Sequence, residues 1–339
     1  MSRMLSISVV AALAASVSGV TGASADVDEF YRGKTITIVV AGGAGASLGL
    51  YCRLVTAHWS KHAPGNPKFI CQFMPGAGGT KAAAYTYNAA PKDGTVIGEI
   101  LSPSVLAPVL RKSKFDSSKF VWIGSITPRP SVVSVWHTSP AKTVDEAKNV
   151  QVIMGSTGFG SETYILPQFM NAVLGTKFKI VRGYPGGAPI NKAMEAGEVN
   201  GRMNYWTGWT TVKGKWLKDK KITHLVQYGP AIPALPNVPH LRSLLKTEAH
   251  KQMLTFIELS ERLGMGFYVP PGVPADRVAA LRSSFFATMN DPAFLAEAKK
   301  RKARVEPIDG ATIEKMANEA FATPAPVLAE LRRLLGFKK

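Results

Sequence analysis

Apolar strands and helices alternate regularly along the chain, which predicts an α/β fold with mostly parallel sheets. The segments predicted as strands are 34–40, 68–73, 95–101, 120–126, 132–137, 150–154, 178–182, 199–204, 222–228 and 266–269. The segments predicted as helices are 47–62, 80–90, 162–174, 189–197, 241–258, 274–289 and 313–335. A chain of 339 residues, 46% of them hydrophobic, is long enough for two domains with cores of their own.

The first 25 residues have the features of a signal peptide. Arg3 gives a positive start, residues 5–17 are apolar, and the triplet ASA at 23–25 fits the small-residue rule for cleavage after Ala25. The apolar stretch is shorter than the ~20 residues that a membrane-spanning helix needs. We therefore expect an exported mature chain in the periplasm.

The formal net charge is +18, and Arg3 is the only charged residue of the predicted signal peptide. Such a charge favours acidic partners, which include nucleic acid, anionic membranes and small anions. Export argues against nucleic acid. The basic runs at 213–221 and 299–304 are predicted to be solvated helix surfaces, and a membrane-surface role for them is kept as a third functional class.

Cys52 and Cys71 are the two cysteines of the chain. An even pair in an oxidising compartment can form a disulfide, and the helix and the strand predicted to carry them are neighbours in a βαβ unit. The pattern favours a Cys52–Cys71 disulfide, with two buried thiols as the alternative.

Two segments, 126–128 and 263–265, are the predicted crossings between two lobes. Neither has the composition of a flexible linker, so we expect two strands that pass directly from one lobe to the other. This division places 26–125 and 266–339 in the first lobe and 126–265 in the second.

Four glycine-rich loops, at 44–49, 75–79, 155–161 and 184–188, each follow a predicted strand and precede a predicted helix. Ligands of open α/β sheets bind where such loops converge, and free N–H groups at a helix N-terminus stabilise an anion. No Asp or Glu occurs between Phe30 and Lys92. These observations predict an anion-binding cleft between the two lobes.

The first of these loops also partly matches other kinds of site. A dinucleotide fingerprint would need its third glycine one position before Gly49. The pentapeptide GASLG at 45–49 matches the G-x-S-x-G of serine hydrolases, although Ser47 lies seven residues beyond Val40 rather than directly on the strand end. A secreted hydrolase using Ser47 is kept as the alternative function.

A metal site is the remaining possibility near this loop. His58 and His62 have the spacing of a zinc-binding helix, but Trp59 stands where a glutamate is required. We therefore expect no metal site and no cofactor.

Over essentially the whole mature chain, the sequence resembles the substrate-binding receptors of tripartite tricarboxylate transporters, often called the Bug family. The pieces that carry this resemblance include "MPGAGGTKAAAYTYNAAPKDGTVIG" at 74–98 and "PPGVPADRVAALRSSFFATMNDPAFLAEA" at 270–298. The resemblance implies a two-lobed periplasmic binding protein of type II-like architecture that closes by hinge motion. It implies a monomeric, non-enzymatic receptor that holds a small carboxylate largely through backbone amides and ordered water and delivers it to membrane permease subunits.

The resemblance, carried over by position, implies the ligand-binding residues. They lie in the first loop, after the third strand, in two loops of the second lobe and after the strand at 199–204. They are Ala44, Gly45, Ala46, Ser47, Gly49, Ser102, Ser104, Ser156, Thr157, Gly158, Phe159, Ser161, Gly186, Gly187, Ala188, Asn204 and Trp206.

Two positions depart from the family pattern. The family usually has an Asp four residues before the arginine that matches Arg53, whereas this chain has Gly49, and an acid common before the cleft strand is Asn200 here. Both changes remove negative charge, and the first of them favours a more anionic ligand or leaves more room in the site. An aliphatic di- or tricarboxylate is expected, and an aromatic acid stays open because aromatic residues cluster near the second-lobe loops.

Overall fold

The structure is a computed structural model that describes residues 21–45 and 47–337, with side chains from residue 26 onward. Its strands are β1 Thr35–Val40, β2 Lys68–Phe73, β3 Val96–Glu99, β4 Val121–Ser125, β5 Ser131–Trp136, β6 Val152–Ser156, β7 Phe178–Arg182, β8 Gly201–Tyr205, β9 Ile222–Tyr228, β10 Gly266–Val269 and β11 Ile308–Asp309. Residues 1–20 of the predicted signal peptide lie outside the described residues, and cleavage after Ala25 stays a prediction.

Helices lie between the strands and after them. They are α1 Thr21–Tyr31, α2 Ser47–His58, α3 Thr80–Asn88, α4 Ala107–Leu110, α5 Val144–Ala147, α6 Glu162–Leu174, α7 Gly187–Glu195, α8 Gly214–Lys218, α9 Leu241–Leu244, α10 Glu248–Leu263, α11 Ala275–Met289, α12 Pro292–Lys300, α13 Gly310–Phe321 and α14 Ala325–Leu334. Short 3₁₀ segments occur at Ser60–His62, Ala77–Gly79, Ser102–Leu106 and Ser117–Lys119, and a π-helical turn at Gly208–Val212. None of the helices described is long and apolar enough to cross a lipid bilayer.

Two sheets form the centre of the molecule, which confirms the α/β class. The first has the strand order β11-β4-β10-β3-β1-β2 and the second β7-β6-β8-β5-β9. Parallel pairs join β1 to β2 and β3, and β6 to β7 and β8. Antiparallel pairs form where β10 and β5 meet their neighbours and where β11 meets β4. Both β5 and β10 directly follow a segment that crosses between the sheets, so each enters its sheet in the opposite direction.

The predicted helices at 241–258 and 313–335 are each two helices. Thr247 interrupts the first, because its hydroxyl caps α10 by accepting from the N–H of His250. Pro324 interrupts the second, because proline cannot continue a helix and disfavours helical geometry in the residue before it. Sequence analysis missed α12, which begins at Pro292 after an Asp291 cap.

The two crossing segments run side by side. The N–H of Met265 donates to the carbonyl of Thr127 at 3.0 Å, and the N–H of Ile126 donates to the carbonyl of Met265 at 3.1 Å. Gly264 has a φ of +53°, and a Cβ on it would lie 2.0 Å from the Thr127 oxygen, so only glycine fits this crossing. Sheet membership follows the predicted lobes, while their residue boundaries stay a prediction.

Helix α2 is fastened to the first sheet. The predicted disulfide is present and joins Cys52 of α2 to Cys71 of β2, with a Cα–Cα distance of 6.2 Å. The fully buried Trp59 stacks on Phe69 at 4.7 Å between ring centroids, and its Nε1 donates to the Ser284 hydroxyl at 2.9 Å. These contacts hold the end of α2 and leave its N-terminus to form part of a cleft.

His58 and His62 also fasten α2 and the turn after it. His58 Nε2 lies 2.7 Å from a carboxylate oxygen of Glu297, and His62 Nε2 lies 2.8 Å from one of Asp291. Within the described ranges, no three His, Cys, Asp or Glu side chains come together as a metal site. The two histidines therefore connect α2 and the following 3₁₀ turn to α12.

Candidate functional site

A cleft of about 400 Å³ lies between residues carried by the two sheets. Its first wall is the start of α2 with the loop before it, represented by Gly45 and Ser47. Its second wall is formed by the start of α7 and the end of β8, and the crossing segments contribute Arg129 and Met265. The volume is within the range of small-molecule sites.

The first wall is built from backbone. Arg53 Nη1 donates to the carbonyl of Ala44 at 2.9 Å, which ties the loop to the second turn of α2. A Cβ on Gly49 would lie 2.4 Å from the same carbonyl oxygen, so the loop can pack on the helix only because residue 49 is glycine. The first-turn N–H groups of α2 have no partner within the helix. This wall can therefore offer hydrogen-bond donors and a helix-dipole field to an anion.

The second wall carries a buried cation, Arg202 of β8. Its guanidinium donates four hydrogen bonds, all to neutral acceptors. Two acceptors are backbone carbonyls, those of Gly187 (2.7 Å) and Met203 (2.9 Å). The other two are the side-chain oxygens of Asn191 (3.2 Å) and Asn204 (3.3 Å). Burial lowers the pKa of Arg202 to about 10, so it stays charged at neutral pH. No carboxylate of the described residues stands among these partners, and the positive charge of this wall is uncompensated.

Arg129 is a second buried arginine at the cleft. It lies between Pro128 and Pro130 in the first crossing segment and is 8% exposed. Its guanidinium sits 3.5 Å above the ring centroid of Tyr205, and its Nε and Nη1 have no hydrogen-bond partner among the described residues. Unlike Arg202, Arg129 is held by packing against Tyr205, and two of its nitrogen donors make no hydrogen bond to the described residues.

Tyr205 joins Arg129 to a buried acid. Its hydroxyl donates to Glu162 at the start of α6. Burial raises the pKa of both groups, that of Tyr205 well above its ordinary value. Arg129 and Tyr205 line the cleft, whereas the Glu162 carboxyl that accepts from Tyr205 is buried and does not line it.

Five of the predicted ligand residues line the cleft, and others lie directly behind it. The five are Gly45, Ser47, Gly187, Ala188 and Asn204. Ala44 and Gly49 form the contact that shapes the first loop, and Gly186 precedes α7. Ala46 lies outside the described residues. The direct ligand contacts of all these residues stay a prediction.

Other predicted residues lie away from the cleft. The fully buried Ser102 donates its hydroxyl to the carbonyl of Gly264 at 2.6 Å and so ties β3 to the second crossing segment. Ser104 is buried as well. Trp206 donates its N–H to the Pro130 carbonyl and packs its ring against His224.

The loop at 156–161 uses its polar groups internally. The hydroxyls of Ser156 and Ser161 and the N–H of Thr157 all bond to the hydroxyl of Thr163. The N–H of Gly158 donates to the Ser156 hydroxyl at 3.2 Å. None of these groups lines the cleft.

Phe159 of the same loop is 43% exposed and lies under the Arg182 guanidinium at 4.0 Å. Its ring also contacts that of Tyr164 at 4.6 Å between centroids. Phe159, one of the aromatic residues that could stack on a ligand, thus already packs against other side chains of the protein.

Three cleft residues, Arg129, Arg202 and Asn191, were not predicted from the sequence. Arg202 had a signal, because it lies inside a predicted strand and a charged residue that is buried in a sheet needs polar partners. Arg129 had one as well, since it lies between Pro128 and Pro130, directly after the segment 126–128 that was predicted to cross between lobes.

A model of the tripartite tricarboxylate transporter family receptor, TctC, matches residues 65–332. The chain belongs to this receptor family. It is therefore a solute-binding protein and not an enzyme, and the serine hydrolase alternative is wrong.

Individual proteins similar to this chain have low sequence identity to it. A UPF0065 protein of Bordetella bronchiseptica (strain ATCC BAA-588 / NCTC 13252 / RB50) is 29% identical over 172 residues, 49% of this chain, and the chain spans about half (50%) of its length. The periplasmic binding protein BugD is 20% identical with a TM-score of 0.64, covering 91% of this chain and 100% of BugD. MatC (Rpa3494) from Rhodopseudomonas palustris with bound malate is 20% identical with a TM-score of 0.61, covering 89% and 99%. At these identities the two structures show a shared fold, that of two-lobed periplasmic binding proteins.

Proposed function

We propose that this TctC-family receptor captures a small carboxylate in the cleft and delivers it to the membrane subunits of a tripartite tricarboxylate transporter. The observation that carries the proposal is Arg202, a buried guanidinium on the cleft wall whose four partners are all neutral. Burying a charge costs free energy unless an opposite charge compensates it. An anionic ligand would supply that compensation, and the planar guanidinium fork suits a carboxylate.

The first wall supports the same ligand class from the other side. The N-terminus of α2 lines the same cleft as Arg202, so an anion bound to both would contact elements of both sheets. A ligand that touches both walls binds the closed arrangement more tightly than the open one, and it therefore shifts the population toward the closed arrangement. Export to the periplasm, predicted from residues 1–25, is consistent with this role and with the periplasmic relatives.

An aliphatic di- or tricarboxylate is favoured over an aromatic acid. Phe159 and Trp206, two of the aromatic residues that could stack on an aromatic acid, do not line the cleft. Two tyrosines, Tyr51 and Tyr205, do line it, and the face of Tyr205 is already covered by Arg129. The related MatC was solved with malate, an aliphatic dicarboxylate.

A thermal-shift screen tests the proposal. Protein from Asp26 onward is unfolded, dialysed and refolded to remove carried-over ligand, then mixed with succinate, malate, citrate and benzoate, with phosphate and amino acids as controls. A ligand at a hundredfold excess over Kd stabilises the folded state by roughly 2.7 kcal/mol, which raises the melting temperature measurably. We expect a shift with aliphatic acids only. Absence of a shift with every carboxylate would overturn the proposal, and a shift with benzoate alone would overturn the aliphatic preference.

A further inference from the structure

The cleft carries more positive charge than Arg202 alone supplies. Among the described residues that line it, three are basic, Arg129, Arg202 and Lys302, and none is Asp or Glu. Lys302 is exposed, so solvent and salt screen its charge, whereas Arg129 is only 8% exposed. The cavity therefore presents two buried positive charges, and no carboxylate of its described lining balances them.

The backbone of Arg129 is fixed by both crossing segments. Arg129 lies between Pro128 and Pro130, and a residue that precedes proline is restricted to extended conformations. Its N–H donates to the carbonyl of Glu261 at 2.8 Å, and its carbonyl accepts from the hydroxyl of Ser131 at 3.2 Å. The side chain thus starts from a fixed point, which reduces the ordering cost of binding a ligand.

The guanidinium of Arg129 is held by an aromatic ring and has unpartnered donors. It lies 3.5 Å from the ring centroid of Tyr205, so its flat face contacts the ring, and the N–H groups in its plane take no part in that contact. Nε and Nη1 are buried without a hydrogen-bond partner among the described residues. A guanidinium grips a carboxylate through Nε with Nη2 or through Nη1 with Nη2, and each of these edges contains one of the unpartnered donors.

None of three buried acids, Glu99, Glu162 and Glu261, is hydrogen-bonded to Arg129. Glu162 accepts from the hydroxyl of Tyr205, both carboxyl oxygens of Glu261 accept from hydroxyls, and Glu99 has no partner among the described residues. Burial raises the pKa of all three carboxyls, which favours their neutral forms. The unpartnered donors of Arg129 therefore have no acceptor on the protein side, and the cleft is the remaining place for one.

We propose that Arg129 binds a second carboxylate of the ligand, so that the receptor selects acids with two or more carboxylates over monocarboxylates of the same length. The inference rests on the proposed function, in which Arg202 and the start of α2 bind the first carboxylate. A monocarboxylate leaves one of the two buried guanidinium groups without a counter-charge, and that cost is the physical basis of the selection.

Pairs of aliphatic acids that differ by one carboxylate test this selection. Butyrate and succinate, valerate and glutarate, and hexanoate and adipate are titrated calorimetrically at pH 7.5, with weakly bound monoacids measured by competition against the diacid. The three chain lengths allow for the spacing between the two arginines. We expect the wild type to bind at least one diacid roughly tenfold or more tightly than its monoacid partner.

Arg129→Gln separates direct binding from a structural role. It is expected to weaken binding of the preferred diacid roughly tenfold and to leave the monoacid unchanged, so that the ratio of the two dissociation constants falls toward one. Arg182→Gln is the matched control, because the Arg182 guanidinium also lies over a ring, that of Phe159, but outside the cleft. It removes the same charge and should keep the wild-type ratio.

Arg129→Lys is the second variant should Arg129→Gln fail to fold. It keeps the charge but not the planar fork, so its ratio should fall part of the way. Four results would each overturn the inference and leave the proposed function intact: equal wild-type affinity within every pair, equal weakening of both acids in Arg129→Gln, an unchanged ratio in Arg129→Lys, or a lost preference in Arg182→Gln. If none of the six acids binds and the thermal-shift screen is negative, both proposals fail.

Discussion

The two walls of the cleft present positive potential in different ways. The first wall offers the start of α2 and a loop without a charged side chain, shaped by the contact between Gly49 and Ala44. The second wall offers Arg202, fixed by four neutral acceptors. Apart from Arg129 and Lys302, whose side chains also line the cleft, one wall thus presents backbone donors and the other a single charged side chain. Binding should therefore be sensitive to substitutions that move the backbone of the first wall and, at the second wall, to replacement of the Arg202 side chain.

The departures from the family pattern fit this division. Gly49, where the resemblance implies an Asp, gives the loop its close contact with α2. Asn200, where the resemblance implies an acid, accepts a hydrogen bond from the N–H of Ile153 at 2.8 Å and joins the residue before β8 to β6. Both residues therefore make structural contacts in this receptor without carrying a charge.

Replacing Arg202 should have the largest effect on both stability and binding. Arg202→Met removes the charge of the second wall and leaves four acceptors without their donor, at a cost of about 2 kcal/mol in unfolding free energy. Loss of a buried partner for the ligand carboxylate is expected to weaken binding roughly 100-fold. Chemical denaturation and calorimetric titration measure the two effects.

Arg202→Lys is the matched variant. A lysine keeps the positive charge but cannot reproduce the fork that reaches Asn191 and Asn204 together. We expect it to recover part of the affinity and little of the stability. If Arg202→Met binds carboxylates as the wild type does, the second wall is not a charged subsite and the contrast between the walls fails.

Gly49→Ala should break the first wall with a smaller effect. Its Cβ would lie 2.4 Å from the Ala44 carbonyl oxygen, so the loop must move away from α2 and strain the bond from Arg53. We expect a roughly tenfold loss of affinity, because the donors of α2 remain but are displaced. Gly43→Ala is the control: nothing lies within 4 Å of a Cβ there, and it should bind normally. Equal behaviour of the two variants would show that the loop does not hold the ligand.

The sequence predicted the elements of the cleft better than its side chains. Strand–glycine–helix transitions are local signals, and two of the four predicted loops, those with Gly45 and Gly187, reach the cleft. The loop at 156–161 has the same local pattern, but its hydroxyls turn inward onto Thr163, which only the folded chain reveals. Arg202 was missed for a similar reason, because its role depends on Asn191 of a neighbouring helix.

The smallest predicted effect concerns the support of the first wall. The 3₁₀ turn after α2 is tied to the start of α12, because Lys61 and His62 both bond the carboxylate of Asp291. Among the described residues, no carboxylate with a comparably lowered pKa supports the second wall. Two hydrogen bonds hold the pKa of Asp291 far below its ordinary value. The one from Lys61 has the larger effect, and the one from the N–H of Phe294 comes next. A lowered pKa means that the anchor contributes stability above the unfolded-state pKa of about 4 and loses it as the pH falls further.

Asp291→Asn tests this anchor, because asparagine preserves the cap of α12 while removing the charge. The wild type should melt at a higher temperature than the variant at neutral pH, and the difference should close as the pH falls below about 4. Carboxylate affinity at neutral pH should change little, since Arg202 and the loop before α2 stay in place. A difference in melting temperature that persists in acid would mean that Asp291 stabilises the first wall without its charge. That outcome would leave both walls equally insensitive to acid.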